Sequence, residues 1–221
     1  MLRKDDDVAD NKGMLIRTIF FLSGLWLVSM GIAFCTHGGL GSTPIAAIPY
    51  SVFLVVPGLS FGTWIFLYNL LLIVIEMLLL RPDFRWKDIA LQCFLAGTFG
   101  SLTDFSMFLV SFLTPGAYWL QIGFVILGSL ILAAGAILTI IGRIGVLPAD
   151  AFVLAIAYVS RREYGTIRLL SDMGMSVMGM AICWVTLHTF QSVREGTLLA
   201  ALLTGIFVKV LMRSLNGSKR A

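Results

Sequence analysis

Two charged residues interrupt long apolar stretches of this chain, and each follows a glycine by four positions. Asp104 stands in Gly100-Ser-Leu-Thr-Asp104 and Lys209 in Gly205-Ile-Phe-Val-Lys209, 105 residues further on. An ionisable group at membrane depth is costly and normally faces a bundle interior or a cavity. Asp104 therefore reads as a group that binds a cation, a proton or a ligand amine, or as half of a buried structural pair. Lys209 either pairs with it, touches a ligand itself, or extends its long side chain to the nearby headgroups. Asp172 comes next, with Asn69 in the matching place 103 residues earlier. Because Asp172 lies one helical turn after Arg168, an intrahelical ion pair is the competing assignment. Asp150 follows Pro148 by two residues at the start of a short helix, where a carboxylate serves a ligand or caps free N–H groups. Ala46 holds the corresponding place in the first half. Thr103, with Ser101 and Thr63, offers hydroxyls to a ligand or to neighbouring carbonyls.

Other chemistry has no foothold in the sequence. There is no Walker A loop, dinucleotide glycine fingerprint, His-Glu-x-x-His or Cys-x-x-Cys. Cys35, Cys93 and Cys183 lie in hydrophobic runs without metal-ligand spacing, and His37 and His188 are the only histidines. No catalytic residue, metal site or particular cofactor is indicated, and the chain is not expected to be an enzyme.

The elements that must hold these residues are membrane spans. The 221 residues are 58% hydrophobic and 13% charged, with a mean hydropathy of +0.94. A soluble domain carries about 25% charge. Apolar runs predict six helices, at 16–37, 61–80, 89–112, 118–141, 168–187 and 196–214. The second closes at Arg81-Pro82-Asp83 and the third at Thr114-Pro115-Gly116. Each has about the length a bilayer requires, and the runs lack the alternation of barrel strands. The first is too long and continuous for a signal-peptide core and reads as a retained span.

Charge orients the spans. With the N-terminus in the cytoplasm, Arg3, Lys4, Lys12, Arg17, Arg81, Arg85, Lys87, Arg143, Arg161, Arg162, Arg168, Arg213, Lys219 and Arg220 fall inside and Arg194 outside. This places both termini in the cytoplasm and the chain in a bacterial inner membrane. The net charge of +4 thus has its explanation in orientation, not in nucleic acid.

A short signature occurs twice. Gly24, Gly31, Gly38, Gly41 and Pro44 recur as Gly128, Gly135, Gly142, Gly145 and Pro148, each 104 residues later. The expected architecture is all-α, with six transmembrane helices as two inverted three-helix repeats. Their ranges are 16–112 and 118–214, joined by 113–117 and flanked by tails at 1–15 and 215–221. An odd number of spans per half makes the second enter in the opposite sense, as in many secondary transporters. Glycines seven apart lie near one helix face and predict a close helix–helix seam, within the chain or between two copies of a homodimer. Gly41-Pro44 and Gly145-Pro148 each open a stretch too short to cross a bilayer. Two placements fit such a helix: re-entrant, shaping a cavity, or resting on the membrane surface.

These motifs resemble the YczE/YitT-like family of bacterial membrane proteins. Leu40-Gly41-Ser42-Thr43-Pro44 resembles its first loop, and Gly100 to Asp104 its third-span acidic motif. Gly145 to Asp150 resembles its second-half Gly-x-x-Pro-x-Asp loop, and Gly196-Thr197 the turn into the last span. The resemblance covers roughly residues 16–214 and implies a fold and a membrane location rather than a substrate. The leading expectation is a small secondary transporter or permease for a metabolite or ion, with membrane lipid as its surroundings. The alternatives are a substrate-binding subunit working with other importer subunits, and a membrane scaffold or regulator.

Overall fold

Glycine at every seventh position decides where the central seam of the fold forms. In a computed structural model, residues 2–56, 58–81 and 86–217 are described, with side chains described from residue 13 to 213 within them. The helices are α1 (Leu2–His37), α2 (Ala47–Val55, entered through a 3-10 turn at Pro44–Ala46), α3 (Phe61–Leu79), α4 (Trp86–Val110), α5 (Tyr118–Gly142), α6 (Pro148–Ser160), α7 (Tyr164–Leu187) and α8 (Glu195–Gly217). A Cβ on Gly31 would lie 2.6 Å from the Gly128 carbonyl oxygen, and one on Gly24 would lie 2.8 Å from that of Gly135. The pairs 24/135 and 31/128 run in opposite directions along the chain, so α1 and α5 are antiparallel. Their backbones touch because no side chain stands between them. In lipid, where apolar surface gains nothing by leaving its solvent, such close packing is what holds helices together. Both glycine stripes are used inside the chain and are not left for a second copy.

Among the described residues six helices have the length and hydropathy of membrane spans: Gly13–His37 within α1, Phe61–Leu79, Trp86–Val110, Tyr118–Gly142, Tyr164–Leu187 and Glu195–Arg213. They carry outward-facing apolar residues such as Phe94, Leu71, Val185 and Leu202, each more than half exposed, as a lipid-facing surface requires. The largest departures from the sequence reading are two early helix starts: α1 continues back to Leu2, through the stretch expected as a tail, and α7 begins at Tyr164, one turn before its expected start. The charged run Arg161-Arg162-Glu163 hid the first turn of α7. Pro82, Asp83, Arg85, Lys219 and Arg220 lie outside the described residues, as do the side chains of Arg3, Lys4 and Lys12.

The short helices pack crosswise. Both begin with proline, whose missing N–H costs nothing in a first turn. One face of each is buried in the bundle, through Ala47, Pro49 and Ser51 on α2 and Pro148, Ala149, Ala151 and Val153 on α6. The α2 helix lies on α7 and the α6 helix on α3. Gly179 permits the first crossing: a Cβ there would be 2.8 Å from the Ala47 carbonyl oxygen. The Ser51 hydroxyl then donates to the Gly179 carbonyl at 2.8 Å. The remaining partners of the seam are α4 on α1 and α8 on α5. The scheme is uneven in one respect. Helices α3 and α4 pack together, whereas among the described residues α7 and α8 scarcely meet.

The first loop is fastened to the turn before α8. Gly41 has φ +103°, and a Cβ on it would come within 2.7 Å of the Arg194 nitrogen. This backbone region is open to glycine and strained for other residues. Ser42 N–H donates to the Ser192 carbonyl at 3.0 Å and Gly196 N–H to the Leu40 carbonyl at 2.9 Å. The motifs at 40–44 and 196–197, far apart in sequence, are therefore one structural joint.

Candidate functional site

Thr43 and Leu147 have the extended backbone of N-caps, and neither helix start is capped by its own side chain. Around these two starts lie two neighbouring hollows. The smaller, about 100 Å³, is enclosed by residues including Ala46, Tyr68, Asn69, Thr139, Asp150 and Arg168. The larger, about 260 Å³, occupies the gap between α7 and α8, with Thr43, Pro44, Arg168, Asp172 and Thr204 in its walls. Ile45, Leu132 and Arg168 belong to both.

Arg168 organises the polar side of this region. Its Nε donates to Asp172 Oδ2 at 3.2 Å, one turn along α7. Its Nη1 donates to Asp150 Oδ1 on α6 and, at 3.4 Å, to the Tyr164 hydroxyl. The ion-paired side chains of Arg168, Asp150 and Asp172 are 31%, 34% and 27% exposed, so the group is partly desolvated yet open to the hollows. One guanidinium against two carboxylates leaves a formal charge of −1. Thr43 lines the same larger hollow. Its residue is 3% exposed, and its hydroxyl oxygen is buried without a hydrogen-bond partner among the described residues. A buried hydroxyl left unpaired costs about 1–3 kcal/mol, which a ligand or water in the larger hollow would relieve.

The sequence-selected residues divide between this region and elsewhere. Asp150, Asp172, Asn69 and Pro44 line the hollows. Asn69 is buried and donates from Nδ2 to the Ile65 carbonyl at 2.8 Å. Asp150 sits in the first turn of α6, but its recorded partner is Arg168 rather than its own helix start. Pro148 is buried at the start of α6. Gly145 lies apart, where a Cβ would meet Leu95 Cδ1 at 3.0 Å and Leu91 Cδ2 at 3.1 Å.

Asp104 has a different set of partners. Its Oδ1 accepts from Gly62 N–H at 2.7 Å and its Oδ2 from the Ser60 hydroxyl at 2.5 Å. Ser60 is the N-cap of α3, and its oxygen also accepts from Thr63 N–H at 3.1 Å. Asp104 thus ties the free N–H groups at the start of α3 to the C-terminal part of α4, and it lines neither central hollow. Thr103 is buried and donates to the Phe99 carbonyl at 2.8 Å. Lys209 is exposed on α8 and forms no ion pair among the described residues. Asp104→Asn is expected to lose about 1–2 kcal/mol of stability by presenting an amide N–H to one of two donors. Thermal unfolding in detergent checks this, and an unchanged midpoint would contradict the anchoring role.

Sequence reasoning missed Arg168, Thr43, Tyr68 and Thr204 as site residues. The four-residue spacing of Arg168 and Asp172 was visible, but the reach of Arg168 to Asp150 depends on how α6 lies beside α7. An all-helical bundle with six span-length apolar helices is the class of a multi-pass membrane protein. Residues 15–213 match the model of a family of unknown function, DUF6198, and the chain belongs to that family. No curated protein and no solved structure matches it significantly.

Proposed function

We propose that this chain is a small secondary transporter or permease whose hollows between two halves receive a small metabolite or ion. The observation that carries this reading is the Asp150–Arg168–Asp172 group in the walls of two neighbouring hollows, the larger of which is also lined by Thr43 with its unpartnered hydroxyl. The residual negative charge suits a cation or proton, either as the substrate or as the coupling ion. Its arrival would compete with Arg168 for a carboxylate and loosen the tie between α6 and α7. Broken or short helices whose ends meet near the midplane are where secondary transporters bind their substrates.

In this reading the halves are inverted three-helix repeats. The antiparallel α1/α5 seam and the crosswise packing of α2 on α7 and α6 on α3 support it. The uneven gap between α7 and α8 supplies an entry route that the α3/α4 pair does not. The chain lies in a bacterial inner membrane with both termini cytoplasmic, as a YczE/YitT-like protein without enzymatic chemistry, surrounded by lipid and indifferent to nucleic acid.

A thermal-shift screen of metabolites and ions across pH, with Asp172→Asn in parallel, tests the proposal. The expected result is a saturable shift in the wild type that Asp172→Asn loses and Thr43→Val weakens about fivefold, the equivalent of one hydrogen bond. Flux of the same compound into liposomes then follows. Binding without flux would instead indicate an importer subunit. No response from any compound, or one equal in Asp172→Asn, would remove this group from the function.

A further inference from the structure

A second pocket lies away from the central hollows, at the end of the bundle where α3 turns into α4. It has a volume of about 460 Å³, and Glu76, Asp88, Leu91, Gln92, Leu154 and Tyr158 are among its walls. Gln92 is only 7% exposed. Its Nε2 donates to Glu76 Oε1 at 3.2 Å. This leaves Gln92 Oε1 and Glu76 Oε2, both buried, with no hydrogen-bond partner among the described residues. Both orphans are acceptors. Rotating the amide would not help, because it would set Oε1 against a carboxylate oxygen and lose the bond already made. What the pair lacks is a donor, and no basic side chain among the described residues lines the pocket.

The repeat spacing explains why there is a pocket here. Glu76 stands 103 residues before Gly179, the same separation as Gly62 from Gly165. Gly179 lets α7 press directly on Ala47 of α2. At the related crossing of α3 and α6, a glutamate replaces the glycine and shares a pocket wall with Ala151. A carboxylate in a spanning helix is costly to keep unless it is used.

The donor must also bring positive charge, since Glu76 is acidic. Among the described residues no three His, Cys, Asp or Glu side chains converge to hold a metal ion. The space is wide, and its leucines and the Tyr158 ring offer apolar cover. We propose that this pocket binds a small organic ammonium ion, with Glu76 and Gln92 accepting its N–H bonds and its hydrocarbon part lying on Leu91 and Leu154.

The test is thermal unfolding of the full chain in detergent, titrated with n-butylammonium chloride. Sodium chloride and tetramethylammonium chloride at equal ionic strength serve as comparisons. The expected result is a saturable rise in Tm with butylammonium alone, lost in Glu76→Gln. In Gln92→Leu the apparent affinity should fall about tenfold, as for one lost hydrogen bond to a charged group. Should Glu76→Gln fail to fold, Gln92→Glu decides the matter: its added charge should tighten butylammonium binding. An equal response to tetramethylammonium, which has no N–H, would overturn the proposal, as would no response or an unchanged affinity in Gln92→Glu. A Tm that depends on pH through Glu76 while ignoring butylammonium would also overturn it, assigning the two acceptors to a shared proton.

Discussion

Gly31→Leu should yield no folded protein. A Cβ at this position would stand 2.6 Å from the Gly128 carbonyl oxygen and 2.7 Å from the Leu132 backbone nitrogen. These are backbone atoms inside helices and cannot turn aside as the end of a side chain would. The α1/α5 seam must open along its length, and in lipid no hydrophobic gain compensates for lost contact. Even Gly31→Ala should cost about 3 kcal/mol, the upper end of ordinary overpacking. Gly123 on α5 is the matched control, because nothing lies within 4 Å of its hypothetical Cβ. There, alanine should be neutral or stabilise the helix by up to about 1 kcal/mol. Size-exclusion profiles and thermal unfolding in detergent read both. A monodisperse Gly31→Leu protein with the wild-type midpoint would refute the seam.

The second large effect is expected at Arg168. Arg168→Ala leaves Asp150 and Asp172 facing one another without their shared cation. Fully buried, such a loss costs about 3–5 kcal/mol. Here the side chains are about a third exposed, and solvent in the hollows screens them, so about 1–3 kcal/mol is the reasonable range. Transport of whatever compound the screen identifies should be abolished. A triple variant, Arg168→Gln with Asp150→Asn and Asp172→Asn, separates the two consequences. It should regain most of the stability, because no unpaired charge remains, while flux stays absent. Recovery of both would make the group a structural device alone.

The parts of this fold legible in the sequence are those set by local physics. Span lengths follow from runs of apolar residues, and the six span-length apolar segments begin and end within four residues of their expected limits, although the α1 helix itself continues back to Leu2. The short helices announced themselves through Pro44 and Pro148. The seam was legible because glycines seven apart can do little else than bring two helix backbones together. The site was harder to read, since its pairings are tertiary. Asp104 attracted attention as an acid in an apolar run, yet its partners, Ser60 and Gly62, come from the start of another helix, and a single strand of sequence carries no sign of that meeting. Arg168 was counted among the charges that orient the chain, because a basic residue at a span end normally has that role. Only the placement of α6 beside α7 turns it into the bridge between Asp150 and Asp172.

Two-sided accessibility of the larger hollow tests the transport account most directly, and it needs no known substrate. Thr204→Cys, in a chain with Cys35, Cys93 and Cys183 replaced by alanine, places a thiol in the wall between α7 and α8. Labelling with a membrane-impermeant thiol reagent should be compared in right-side-out and inside-out vesicles. A transporter exposes its central site to each side in turn, so the account predicts labelling from both faces, slowed from both by the ligand the screen identifies. Labelling from one face only, at a rate indifferent to ligand, would contradict it.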